Sequence, residues 1–549
     1  MRSIAVSLLA LGFCATVDGD SFFSGRARAG ADENKAKGHK AADKEKKPKP
    51  RFTVGKETTY VAGPLDEDGT IDYSVPLNER LRKGVTPDNN AVVLLWKALG
   101  PRPEGKEMSA EFYKWLGIDA PPAKGDYFLG QDRYAKEHLK IEPGPALGAY
   151  ADEIGRAAQR PWTAKQYPRV AEWLSVNEKP LTLVLEATKR PQYFSPLVPT
   201  RSKKGSSGIL GALMPGVQKC RELAQAFTVR AMLAIAEGRL DDAWRDLLAC
   251  HRLGRLVARG AIFIEVLVGM AIDTIASNAD VALLERAGTD AKVDAKQIRS
   301  WLRDLQRLPP MPDMAEKIDL GQRFMGLDCF MLIARGDGPE TPEAITGGAP
   351  PKDANPHALD VIDWDPALRL ANRCYDRMAT TMRIKDRAER EKQLNRLTKE
   401  LDEMVKKGRR SGVLGELWFA FTITPQKMGE QIGQIGMALL LPAIHKVQQA
   451  YERSEQIEHN LHVAFALACY HREHGRYPDK LETLTPAYLE NVPQDIFSGE
   501  ALIYRPTAKG FLLYSIGVNG RDDEGRGYGD DPPADDLNVR MPLPALRRK

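Results

Sequence analysis

The stretch "YSIGVNGRDDEG" (514–525) opens the densest collection of reactive side chains in the protein. Between residues 519 and 536, Asp522, Asp523, Glu524, Asp530, Asp531, Asp535 and Asp536 face only Arg521 and Arg526 as counter-charges. Carboxylates this close repel one another, so the loop is either fully solvated or holds something positive. Histidine offers a second chemistry. His459/His462 and His471/His474 are two HxxH pairs, and a spacing of three puts each pair on one side of a helix. No HExxH accompanies them and no third ligand stands out, so solvated helix positions are the expectation. "DVIDWDPA" (360–367) gathers three acids around Trp364, which fits a carboxylate pair for glycoside chemistry or, more commonly, a turn that starts a helix. No GxSxG, no phosphate-binding GxxxxGK[ST] and no dinucleotide-binding GxGxxG after a strand is found. Cys14, Cys220, Cys250, Cys329, Cys374 and Cys469 form no CxxC, which leaves zinc and thioredoxin-like readings without support.

These residues must be positioned by 549 residues, too many for one core. Residues 1–19 read as a secretory signal: Arg2, a short apolar run from Ile4 to Phe13, then small residues around a cleavage site. Removing it leaves five cysteines, an odd number, so at least one thiol is not paired within the chain. Residues 20–51 are basic and poor in large apolar residues, a solvated tether. This end carries the whole net charge of +5, leaving 68 residues of each sign beyond it. Nothing there interleaves basic and aromatic residues, so no nucleic-acid partner is expected. No stretch after the signal reads as a membrane-spanning helix.

Residues 52–423 read as a mainly helical body. "NNAVVLLWKALG" has Asn90 as a cap and Gly100-Pro101 as a stop. "EFYKWLGI" is a second short helix, and "PLTLVLEATKRP" fits strand or helix. Residues 216–290 are the strongest helical block, with breaks at Gly238 and Gly260. Residues 335–358 are rich in glycine, proline and alanine and form a long loop. Leu394, Leu397, Leu401 and Met404 mark one packed stripe on a charged helix. Residues 424–549 differ. Thr424-Pro425 starts a long helix that Pro442 kinks or restarts and Gly475 ends; "ALIYR" and "FLLYSIG" then form a hairpin. The fold class is therefore α+β, a large helical body followed by a long helix and a small antiparallel sheet.

"ALLLPAIHKVQQAYERSEQIEHNLHVAFALACYHREHGRYPDKLETL" resembles the spine helix of type IV pilin-like proteins and its exit. "PQDIFSGEALIYR", "GFLLYSIGVNGRDDEG" and "ADDL" resemble the C-terminal domain of the major pseudopilin of type II secretion systems. In that family one calcium ion staples the loop after the last strand to the sheet. Matched motif to motif, the ligands that the resemblance implies are Asn519, Asp522, Asp523, Asp535 and Asp536, with calcium as the cofactor. Three features depart from the family, one being that "GYGDDPP" lengthens the loop and supplies an extra acidic pair. Asn519 stands where aspartate is common, and the spine begins some 430 residues into the chain with "QKMGEQIGQIGMALLLP", too polar and glycine-rich for a bilayer. The expected function is an exported, non-catalytic structural or interaction protein, periplasmic or at the cell surface, its protein partner unspecified. Two other readings stay open: an exported hydrolase with its site in the helical body, and a genuine type II secretion component.

Overall fold

The structure is a computed structural model. It describes residues 52–546 except 67–68, 104–106, 203–204, 213–215, 336–360, 411–423 and 508. The signal segment, the basic tether and the long loop lie outside the described residues, apart from Arg335 at the edge of that loop. The protein is 59% helical with a small three-stranded antiparallel sheet, the expected α+β class.

Local sequence signals account for the first helices. Asn90 caps α1 (Ala91–Leu99) by accepting the Val92 N–H, and Ser109 caps α2 (Ala110–Leu116) the same way through Phe112. α3 (Pro145–Gln159) starts at a proline, whose missing N–H is no loss at that position. The ambiguous "PLTLVLEATKRP" is helical: it belongs to α4 (Glu178–Ala187), which lies against α1.

The strongest helical block forms three consecutive helices, α5 (Val217–Ala236), α6 (Leu240–Val257) and α7 (Phe263–Thr289). Gly238 turns between the first two at φ 73°, the left-handed region that favours glycine. α7 bears on the expectation that no helix after the signal spans a membrane. It is long and apolar enough to cross a membrane, yet 78% of its most apolar window is buried inside the protein. A helix hydrophobic all round is what a helix at the centre of a body requires.

α8 (Ala295–Gln306), α9 (Arg323–Ala334), α10 (Asp365–Met382) and α11 (Arg387–Arg410) complete the body. Asp365 opens α10, so the acidic "DVIDWDPA" segment runs into a helix start. On α11, Leu394, Leu397 and Leu401 are buried and form a packed stripe, while Met404, expected on it, is exposed.

α12 (Pro425–His474) is 50 residues long, about 75 Å at 1.5 Å per residue. Thr424 caps it through the Lys427 N–H, and Gly475 closes it at φ 73°. Pro442 lies inside one continuous helix rather than starting a new one. Three glycines explain how its first half packs. Added Cβ atoms on Gly429, Gly433 and Gly436 would meet the Asp363 carbonyl, the Ala367 Cα at 2.8 Å and the Phe330 ring at 2.8 Å. These residues form a flat stripe on which α10 and α9 lie close. The second half packs on α6, α7 and α8; Phe465 meets the Trp244 ring edge-on at 5.8 Å.

The sheet has the order β1 (Ile503–Thr507), β2 (Gly510–Ser515), β3 (Leu537–Met541), all antiparallel. β3 follows the acidic loop and is a strand that the sequence reading did not assign. Leu537, Val539 and Met541 alternate inward against α12. Asn460 of α12 donates to the Leu537 carbonyl at 2.7 Å. Most buried apolar residues of the body, of α12 and of the sheet form one core, and Val92, Trp96, Phe112, Tyr113, Leu116 and Phe194 form a second, smaller cluster.

Candidate metal centre

The acidic loop is placed by its two flanking strands. At the exit of β2, buried Asp495 of the "DIFSG" segment accepts from the Ser515 hydroxyl at 2.8 Å and the Ile516 N–H at 2.9 Å. Gly517 and Gly520 then turn the chain at φ 69° and 68°. The loop returns along the sheet face. Asn538 of β3 donates to the Gly525 carbonyl at 2.8 Å, and Arg540 forks onto Asp530 at 2.8 and 2.7 Å. Residues 519–525 are thereby folded back onto Asp535 and Asp536.

Three of the five residues implied by the resemblance converge. Asp523, Asp535 and Asp536 each offer an oxygen within 4.8 Å of the other two. Asp536 is 3% exposed. Its Oδ2 accepts from the Gly525 N–H at 2.7 Å and the Asp523 N–H at 3.1 Å. The Asp535 Oδ1 and Asp536 Oδ1 atoms are buried and have no hydrogen-bond partner. Burial pushes the Asp536 carboxyl up to about 6, helped by the neighbouring Asp523 and Asp522 charges and opposed by the two N–H groups.

The other two residues behave differently. Asn519 bonds to the group without turning its oxygen into it. Its N–H donates to Asp535 Oδ2 at 2.9 Å and its Nδ2 to Asp523 Oδ2 at 3.0 Å, while its Oδ1 accepts from the Arg521 N–H. Asp522 accepts from the Tyr514 hydroxyl at 2.9 Å and the Glu524 N–H at 2.8 Å. The donor set fits a hard cation. Oxygens around calcium at roughly 2.4 Å stand no more than about 5 Å apart, and carboxylates with unused buried lone pairs are its usual ligands.

A second polar cluster lies deep in the body, and the sequence reading passed over it as simple packing. His251 of α6 bonds through Nδ1 to Asp273 and through Nε2 to Asp280 of α7, both at 2.8 Å. All three are buried. The helices approach closely enough for this because an added Cβ on Gly254 would lie 2.7 Å from the Gly269 carbonyl. Burial alone would lower the His251 pKa; the Asp280 and Asp273 carboxylates outweigh it and raise the ring to about 10. With a carboxylate on each nitrogen, the ring is a charged tie with no free lone pair for a base. Arg255 carries the network to α12 through Glu458 at 2.8 Å.

Beside it, His462 departs from the solvated position expected for an HxxH histidine. Burial pushes it down to about 4, against the opposing pull of Glu458 and with His459, Arg255 and His251 adding to the fall. His471 instead stacks on Tyr477 at 4.4 Å and His474 on Tyr470 at 4.0 Å, so the second pair is engaged by aromatic faces. The signal for the inner cluster was present: Asp273 and Asp280 are seven apart on a mostly apolar helix, facing His251 and Arg255, four apart on the one before.

Cys220, Cys250, Cys374 and Cys469 are buried free thiols, while Cys329 is half-buried and also free. No family model matches this chain, and no curated protein and no solved structure matches it.

Proposed function

We propose that this protein is an exported, non-catalytic structural or interaction protein whose long helix and three-stranded sheet form a pseudopilin-like module stapled by calcium. One observation carries the reading: Asp523, Asp535 and Asp536 converge where the loop rejoins the sheet, and two of their buried oxygens have no partner. A bound calcium ion supplies positive charge and oxygen coordination at that point. The chain supplies the rest. Asp536 is anchored by two main-chain N–H groups, Asn519 ties Asp535 to Asp523, and Arg540 holds the loop to β3 through Asp530. The inner ion cluster supports a structural role for the body, because it joins α6, α7 and α12 with every His251 nitrogen engaged. Export rests on residues 1–19, whose composition is that of a secretory signal.

The test is thermal melting of the full chain with calcium and with chelator. At a free ion concentration a hundredfold above its dissociation constant, binding to the folded form adds about 2.7 kcal/mol. Identical curves in both conditions would remove the calcium staple.

A further inference from the structure

A cleft of about 1610 Å³ separates α3 and α5 from the second half of α12, with α7 as its floor and β3 at its lip. β3 is an outer strand, so only one of its two sides is paired within the sheet. Its outward main-chain groups follow from a proline. Pro506 of β1 stands opposite Phe511 of β2. Proline has no N–H, which makes that pair one of the unbonded positions of the ladder. Alternation then turns Phe511, Leu513 and Ser515 toward Met541, Val539 and Leu537 of β3. The N–H and C=O groups of Asn538 and Arg540 are left on the outer side. Both residues line the cleft, and among the described residues neither has a main-chain bond outside the sheet. A free row of alternating donors and acceptors is a template for another extended chain.

The walls give a second, independent indication. Lys446 and Arg453 of α12 line the same cleft, seven residues apart and so about 10 Å along the helix axis. Neither has an ion-pair or hydrogen-bond partner among the described residues. Other cations around the cleft are engaged: Arg540 with Asp530, and Arg160 with the Pro544 carbonyl at 2.6 Å. On the far wall, Gln131 and Gln225 add neutral polar side chains to the lining.

We infer that the cleft takes an extended, acidic peptide segment of a partner protein. It adds as a fourth strand on the outer side of β3 and places carboxylates on Lys446 and Arg453. This goes beyond the calcium reading and does not depend on it.

The probe is a fluorescein-tagged peptide alternating valine with glutamate, about ten residues long, titrated into the full chain and followed by anisotropy. Saturable binding is expected. Methylating the amides of one alternate set should abolish it, and methylating the other set should leave it, because only one set faces the sheet. Reversing both charges, Lys446→Glu with Arg453→Glu, should weaken binding about tenfold, with melting of the variant confirming its fold. If the variant fails to fold, the two methylated probes decide alone. No saturable binding, equal behaviour of the two methylated probes, or indifference to charge reversal in a folded variant would each overturn the inference.

Discussion

The Arg255 guanidinium lies 2.8 Å from the Glu458 carboxylate, with Arg255 only 2% exposed, and this contact ties the central helices to the long one. Removing one member of such a pair leaves the other charge without compensation. Arg255→Met is therefore expected to destabilise the protein by about 3 kcal/mol. Arg255→Met combined with Glu458→Gln should cost clearly less than the first change alone. Urea unfolding of the two variants makes the comparison.

The inner histidines predict opposite limbs of a stability profile. His251 is raised to about 10, so its contribution is fully present below its ordinary value near 6.5 and is lost as pH rises through about 10. His462 is lowered to about 4, so the unfolded chain takes up its proton first and stability falls between about 6.5 and 4. His462→Leu should flatten the acid limb, narrowing the difference between pH 7 and pH 4.5 by roughly 1–2 kcal/mol. Denaturant midpoints at pH 4.5, 7 and 10 give the answer.

Asp536→Asn separates the cation from the fold. With chelator present the variant should melt at or above the wild-type temperature, because one of three crowded carboxylates is neutral. With calcium present the wild type should gain and the variant should gain much less. A variant that responds to calcium like the wild type would place the ion elsewhere.

The glycine stripe of α12 predicts a steric effect. Gly433→Leu drives a side chain into the Ala367 backbone and should cost about 2–3 kcal/mol, although leucine is the better helix former. Lys446→Leu, on an exposed part of the same helix, should change stability by less than about 0.5 kcal/mol. Thermal melting of both variants distinguishes packing from propensity.

What the sequence disclosed followed from local physics. Caps at Asn90 and Thr424, the glycines at 238 and 475, and the apolar alternation of β2 all act within a few residues, and each marks its element. What it concealed depends on contacts between distant residues. β3 is five residues with Asn538 and Arg540 on one face, and only the pairing with β2 makes it a strand. Pro442 was read as an interruption, yet packing on both sides holds α12 together through it. His462 looked solvated because Arg255 and His251 of α6, which stand near it, lie some 200 residues earlier. In the loop, composition identified the acidic cluster, but only the folded backbone shows that Asp522 turns toward Tyr514 while Asp523 turns toward Asp535 and Asp536.

The stripe of Gly429, Gly433 and Gly436 has a consequence for assembly. The smooth side of the stem is already covered by α9 and α10 of the same molecule. A second copy would have to pry those helices away first, so crowding alone will not drive polymerisation along this face.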